Sequence, residues 1–348
     1  MQSFYLYECL LHSRTIFLKK QLHFFLKTAY NIQIFWQVSF LKKNYLPITI
    51  CIIFLYLLFF PSQSLEASKS GLLLWFDTLL PTLLPFLIIS QLLLKSPILE
   101  NIQKLFGPFF TKLFHCSSDG AFCILCGFLC GYPVGARLIA LQIKEHRLSV
   151  PEGQYLLAFC NNVSPIFCIS YGILYTIGSV PVFPYLCIIY GSAVFYGLIT
   201  RPSSTKNFID HTKKQTPSAK NTFQLIDVCI IDSFLIMIKL CGYLILFSII
   251  CSASFLFFQD VPILKLLLAS TLEITGGLSL IKTVTNDILR TALALYSLIF
   301  GGFCCLFQTN SVLLDTGLSL KKYILSKLHI TMIGLYFFFL WKFFCWIF

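Results

Sequence analysis

The sequence predicts an all-α polytopic membrane protein: an inverted repeat of span, re-entrant hairpin and two spans, with about seven full spans and two hairpins. Three observations lead there. Of the 348 residues, 57% are hydrophobic and only 11% charged, against about 25% charged in an average soluble domain. A soluble core could not hide so much apolar surface, so lipid must be the solvent for much of it. Lys and Arg gather in short segments between the apolar runs, and several of those runs are interrupted near their middles by Gly, Pro, Asn or Glu.

The net charge of +12 would point to nucleic acid in a soluble protein. Its placement here is that of cytoplasmic loops beside anionic lipid. The expected macromolecular partner is therefore the bilayer, not nucleic acid, and a homo-oligomer is compatible with the pattern. The 37 Phe residues suit a lipid-facing surface. Most of the 15 Cys sit inside apolar runs, where Cys packs as a small apolar residue. Cys123 and Cys126 form a CxxC, but no second CxxC or His pair follows at ligand spacing. No metal site and no cofactor is expected.

Taken in order, residues 1–45 carry Lys19, Lys20, Lys27, Lys42 and Lys43 among aromatics and read as a basic interfacial arm. Residues 46–70 are a first span, 47–60, and a loop. Residues 71–200 form the first transporter repeat. A span at 71–94 is followed by an interfacial stretch at 96–116, broken by Gly107 and Pro108. The apolar segment 119–141 then bends at Gly131-Tyr132-Pro133-Val134-Gly135, and spans at 153–177 and 182–200 complete the repeat. Residues 201–222 are a basic loop. Residues 223–348 form the second repeat, with a lead-in at 223–232, a span at 233–258, a Gly-containing segment at 263–281 and spans at 288–310 and 328–348.

Orientation follows from the positive charge. With the arm in the cytoplasm, Lys95, Lys104 and Lys112 fall inside. Were 119–141 a full crossing, Arg137, Lys144 and Arg147 would lie outside; as a hairpin it keeps them inside. The loop 201–222, Lys321 and Lys322 then also fall inside. The second hairpin enters from the outer face, so the halves run in opposite senses, the commonest plan of secondary transporters.

Polar residues and irregular backbone at membrane depth are tolerated where they face protein or a water-filled cavity. Four places meet both conditions. The first is Gly131, Tyr132 and Gly135 with Arg137: Pro133 removes an N–H, the glycines permit a reversal, and exposed amides with a half-helix N-terminus attract anions. Arg137 either adds a fixed positive charge there or snorkels from an ordinary kinked helix. The second is Asn161, Asn162 and Ser164, where Pro165 frees the Asn161 carbonyl from its helical bond. These groups offer donors and acceptors to a ligand, or glue helices together. The third is Glu273, before Gly276 and Gly277. It either binds substrate or a coupling ion, H⁺ or Na⁺, or forms an ion pair, for instance with Lys239. The fourth is Gly301 and Gly302 with Gln308 and Asn310, the latter two either in the site or at the cytoplasmic helix end. Asp77, Asp232 and Lys239 are weaker candidates. No HExxH, P-loop, G-x-S-x-G or GxGxxG is present, so an enzyme is not expected.

The stretches PSQSLEASKSGLLLWFDTLLPTLLPFLIISQLLL and GFLCGYPVGARLIALQIKEHRLSVPEGQYLLAFCNNVSPIF resemble the YlbJ, or SpoVV, sporulation integral membrane proteins. LEITGGL and FGGFCCLFQTNSVL fit that family's second half. The resemblance covers roughly residues 47–348. It implies kinship with nucleoside-recognition, or Gate, domains, which are similar to concentrative nucleoside transporters. It implies a place in the mother-cell or outer forespore membrane and carriage of a small anionic metabolite, dipicolinic acid, toward the forespore. The rival reading is a non-transporting scaffold or receptor for spore envelope assembly. A carrier needs Asn161, Asn162, Ser164 and Glu273 near one cavity; a scaffold needs them paired off between helices.

Overall fold

The computed structural model describes residues 45–96, 98–203, 222–257 and 262–347, all helical or connecting among the described residues. The arm at 1–44 and most of the basic loop, 204–221, lie outside them. Helix α1 (Tyr45–Phe59) is a 15-residue apolar helix belonging to a separate compact unit that ends at Phe60. Everything from Pro61 onward forms the second unit.

That unit opens with α2 (Pro61–Leu94), 34 residues long. The sequence reading put a loop at 61–70; the structure makes it helix. Its serines turn inward on their own backbone, Ser64 donating to Pro61 O and Ser68 to Ser64 O, so a polar stretch is helical without tertiary partners for those hydroxyls. Leu74–Leu79 is a wider, π-helical turn. It lies just before Pro81, whose missing N–H leaves the Asp77 carbonyl without its helical donor. Next, α3 (Ile98–Phe114) is amphipathic and continuous through Pro108; the expected break at Gly107 and Pro108 is absent. It meets α4 (Ser118–Cys130) at 94°.

Helix α4 and α5 (Val134–Lys144) turn back on one another. Gly131 adopts φ 79° and ψ −163°, a region essentially restricted to glycine, and Tyr132–Pro133 is cis. A methyl placed on Gly135 would lie 3.1 Å from Gly127 Cα. Eight residues along one continuous helix would hold these positions about 12 Å apart, so the segment is a hairpin. Its base is pinned where Glu152 accepts from Ser117 N at 2.6 Å and Arg147 pairs with Asp119 at 2.7 Å.

A broken span follows: α6 (Val150–Cys160), an irregular stretch at 161–164, and α7 (165–177). Then come α8 (Val182–Ile199) and α9 (Thr222–Phe257), the latter one 36-residue helix where a lead-in and a span were expected. The second hairpin is α10 (Pro262–Leu272) and α11 (Ile274–Ile281). It reverses at Glu273, which is extended, and a methyl on Gly277 would lie 2.5 Å from Ser270 Cα, where a continuous helix would put about 10 Å. A second broken span, α12 (Asp287–Phe300) and α13 (Gly302–Leu313), precedes α14 (Leu320–Ile347).

Among the described residues, six helices are long and apolar enough to cross a membrane, or seven if the bent pair α3–α4 counts as one. The seven full spans expected from sequence included residues 47–60; the helix found there, Thr49–Phe59 by the same criterion, falls among the shorter apolar ones. From Pro61 on, the order is long helix, the amphipathic α3, hairpin, broken span and helix, then long helix, hairpin, broken span and helix. Three pairs of these elements pack antiparallel. Gly71 packs on Ile245 and Leu244, and further along Trp75 Nε1 donates to Met237 O and Gln91 to Ser233, joining α2 to α9. Gly172 meets Leu298 and Arg290 reaches Ile177 O, joining α7 to α12. Tyr185 meets Trp341, Ser192 meets Gly334 and Tyr196 bonds Ser326, joining α8 to α14.

Candidate functional site

A cavity of about 130 Å³ opens at the centre of this unit. At about 30 Å³ per water, its share of the liquid, the cavity has room for roughly four waters or a small organic ligand. It is lined by Tyr132 at the first hairpin tip, Ser164 and Phe167 at the first broken span, Glu273 and Thr275 at the second hairpin tip, and Cys304, Cys305 and Gln308 at the second broken span. Thr78 and Thr82 of α2 and Ser170 of α7 add to the polar lining, and Leu79, Leu83, Phe86, Leu240 and Leu244 to the apolar wall.

Close backbone approach holds these pieces together. A methyl on Gly131 would sit 2.5 Å from Ser164 N, and one on Gly301 would sit 2.5 Å from the Tyr132 hydroxyl. Gly302 faces Thr271 and Leu272 carbonyls across the second tip. The first hairpin tip is therefore wedged between both broken spans, and glycine is required at each contact because any side chain would push it out. Gly301 and Gly302 also take φ 87° and 67°.

Four helices start around the cavity: α5, α7, α11 and α13. Helix N-termini carry unpaired N–H groups and about half a positive charge each. Three are capped from within the protein. Asn161 Oδ1 accepts from Ala136 N at 3.3 Å, Ser164 Oγ from Phe167 N at 3.4 Å, and Glu273 from Thr275 N at 2.9 Å and Gly276 N at 2.6 Å. The fourth, α13, follows Gly301 and has no side-chain cap. Glu273 is thus occupied by its own helix end; its carboxylate is buried, and Lys239 is an exposed residue of α9.

Asn161 is completely buried and saturated. Its amide donates to Thr309 Oγ1 at 3.1 Å and to the Tyr323 hydroxyl at 2.9 Å. The carbonyl that Pro165 frees accepts from Lys327 Nζ at 3.2 Å and from the Tyr323 hydroxyl at 3.4 Å. Asn162 donates to Phe159 O at 2.7 Å, and its Oδ1 accepts from Lys327 Nζ at 3.1 Å. The two asparagines lie behind the cavity wall rather than in it. Gln308 lines the cavity with its amide on Cys304 Sγ at 3.0 Å; Asn310, two residues on, does not line it. Arg137 points away, 3.8 Å from Asp232, so it does not supply the positive charge at the tip. Asp77 is exposed on α2.

Sequence reasoning missed Lys327. It was placed just before a span starting at residue 328, beside Lys321 and Lys322. The structure starts α14 at Leu320, so Tyr323, Lys327 and Thr331 share one inward face at four-residue spacing. That spacing was the available signal. Among the described residues no group of three or more His, Cys, Asp or Glu could hold a metal ion.

The fold and this centre define a multi-pass integral membrane protein whose interrupted helices surround a mid-protein cavity. Residues 76–194, from within α2 to α8, match the family model described as Gate, nucleoside recognition. The chain is also similar to the sporulation integral membrane protein YlbJ of Bacillus subtilis (strain 168), 26% identical over 316 residues that cover 77% of this chain and 75% of that protein. The resemblance read from GYPVGA and NN-S-P is the one these comparisons return. No solved structure matches.

Proposed function

We propose that the protein is a secondary carrier for a small anionic metabolite, built as two inverted halves that alternate access to the central cavity. One observation carries this reading: four interrupted helical segments converge on one cavity, with Ser164 and Glu273 on its lining, while Asn161 and Asn162 pair off behind it. Irregular backbone at membrane depth is stable where it is buried in protein or lines such a space, and carriers bind substrate where discontinuous helices of opposed repeats meet. The antiparallel pairing of equivalent elements supports the inversion. The helix N-termini support an anion, since Glu273 offsets only its own.

The similarity to YlbJ supports a role in sporulation, and dipicolinate, a planar dianion of about twelve heavy atoms, is of the size the cavity admits. Full-length protein in liposomes should take up labelled dipicolinate faster than empty liposomes, and uridine no faster. Uridine uptake with no dipicolinate uptake would replace the anion by a nucleoside. Collapsing a proton or Na⁺ gradient then identifies any coupling ion. A scaffold would move neither solute.

A further inference from the structure

We infer that Lys327 is the fixed cation that selects an anionic substrate, held in reserve behind Tyr132. This rests on the carrier reading and names the group that recognises charge within that same site.

Lys327 is fully buried in α14. Its ammonium touches only neutral acceptors, Asn161 O and Asn162 Oδ1, and lies 5.2 Å from the centre of the Tyr132 ring. Among the described residues it forms no ion pair; the described pairs are Arg137–Asp232, Arg147–Asp119 and Arg290–Asp287. A buried charge is expensive unless paired, and a structural donor in this position need not be charged. The broken span opens two carbonyl oxygens, groups that elsewhere coordinate a mobile cation in carriers. Here a tethered ammonium occupies them. Its charge is met in part by the face of Tyr132, a weak partner.

Tyr132 also lines the cavity. The same ring therefore stands between the empty space and the unpaired ammonium. The charged residue that lines the cavity, Glu273, has both oxygens bonded to Thr275 and Gly276 N–H and is not a partner for a substrate cation. A carboxylate entering beside Tyr132 would find, behind the ring, the one buried cation near the cavity that lacks an ionic partner among the described residues.

The test is Lys327→Gln, which keeps amide donors for the two asparagine oxygens and removes the charge, alongside Lys327→Arg. Full-length proteins in liposomes are compared for uptake of dipicolinate and of its uncharged diamide, with melting temperatures in detergent. Lys327→Gln should lose dipicolinate uptake at least tenfold, keep diamide uptake within twofold, and melt no lower than the unaltered protein; Lys327→Arg should retain part of the dipicolinate uptake. Unchanged dipicolinate uptake in Lys327→Gln, or a parallel loss of both solutes with a lower melting temperature, would overturn the assignment. If the unaltered protein takes up neither solute, the carrier reading itself falls, and melting still decides Lys327. A glutamine chain that melts no lower marks the charge as serving something other than the fold; one that melts lower makes Lys327 structural and overturns the inference.

Discussion

The two hairpins solve one problem by different means. Each must end a helix, reverse and begin another deep in the protein, leaving N–H groups to be satisfied. The second tip does so alone: Glu273 caps α11 on the next two N–H groups it can reach. The first tip has no such residue. Its turn is made by Gly131 and Pro133, and the bond to Ala136 N comes from Asn161 on the broken span, which is itself tied to α13 and α14. The self-capped tip needs no outside side chain for its cap, though Tyr171 and Tyr296 bond its limbs at Ser279 and Thr271. The borrowed cap makes the first tip depend on the broken span for its own helix end.

The sharpest way to break this comparison is at the glycines. Gly131→Ala puts a side chain in a glycine-only conformation and against Ser164 backbone, which should cost about 3–5 kcal/mol, with loss of most folded protein in detergent. Gly277→Ala meets only the backbone of its own hairpin at Ser270, and should cost about 1–3 kcal/mol. Equal losses in recovered folded protein would remove the distinction between a tip capped from outside and one that caps itself. One step smaller, Asn161→Ala removes three side-chain hydrogen bonds across three elements and should lower stability by about 3 kcal/mol. Glu273→Gln keeps one carbonyl acceptor and should cost only about 1 kcal/mol, read by denaturant unfolding. A larger cost for Glu273→Gln than for Asn161→Ala reverses the comparison.

How much of this was legible in sequence follows the same division. Gly131, Asn161, Ser164, Glu273 and Gly301 each break a helical pattern inside an apolar run, and backbone irregularity of that kind is written locally in Gly and Pro. What those breaks bond to is not local. Glu273 read as a carboxylate for substrate or a coupling ion, or as an ion-pair partner, because capping is the habit of Ser, Thr, Asp and Asn, and Arg137 read as a tip charge or a snorkelling side chain because Asp232, ninety-five residues on, is placed beside it only by the packing of α5 on α9. Residues 61–70 read as a loop because serine is counted as a turn residue, whereas in a long helix its hydroxyl bonds the carbonyl three or four residues back. Lys327 was hidden by its neighbours: two exposed lysines made a third look like loop.

The gentlest test leaves stability untouched and asks only from which side each hairpin enters. Ser118 and Lys144 are exposed residues at the ends of the first hairpin, Ile263 and Lys282 at the ends of the second. Single substitutions of these by cysteine, in a background cleared of Cys9 and of Cys51, Cys187 and Cys345, the last three exposed among the described residues, can be labelled with a membrane-impermeant thiol reagent from either side. Ser118→Cys and Lys144→Cys should react from one face, because the limbs fold back at Gly131; Ile263→Cys and Lys282→Cys should react together from the other. Labelling of Ser118→Cys and Lys144→Cys from opposite faces would turn the first hairpin into a crossing. Labelling of all four from one face would keep both hairpins and remove the inversion. The cavity would then lie between halves that enter from the same side, and the two tips would owe their different caps to sequence alone, not to opposite roles in opening the site.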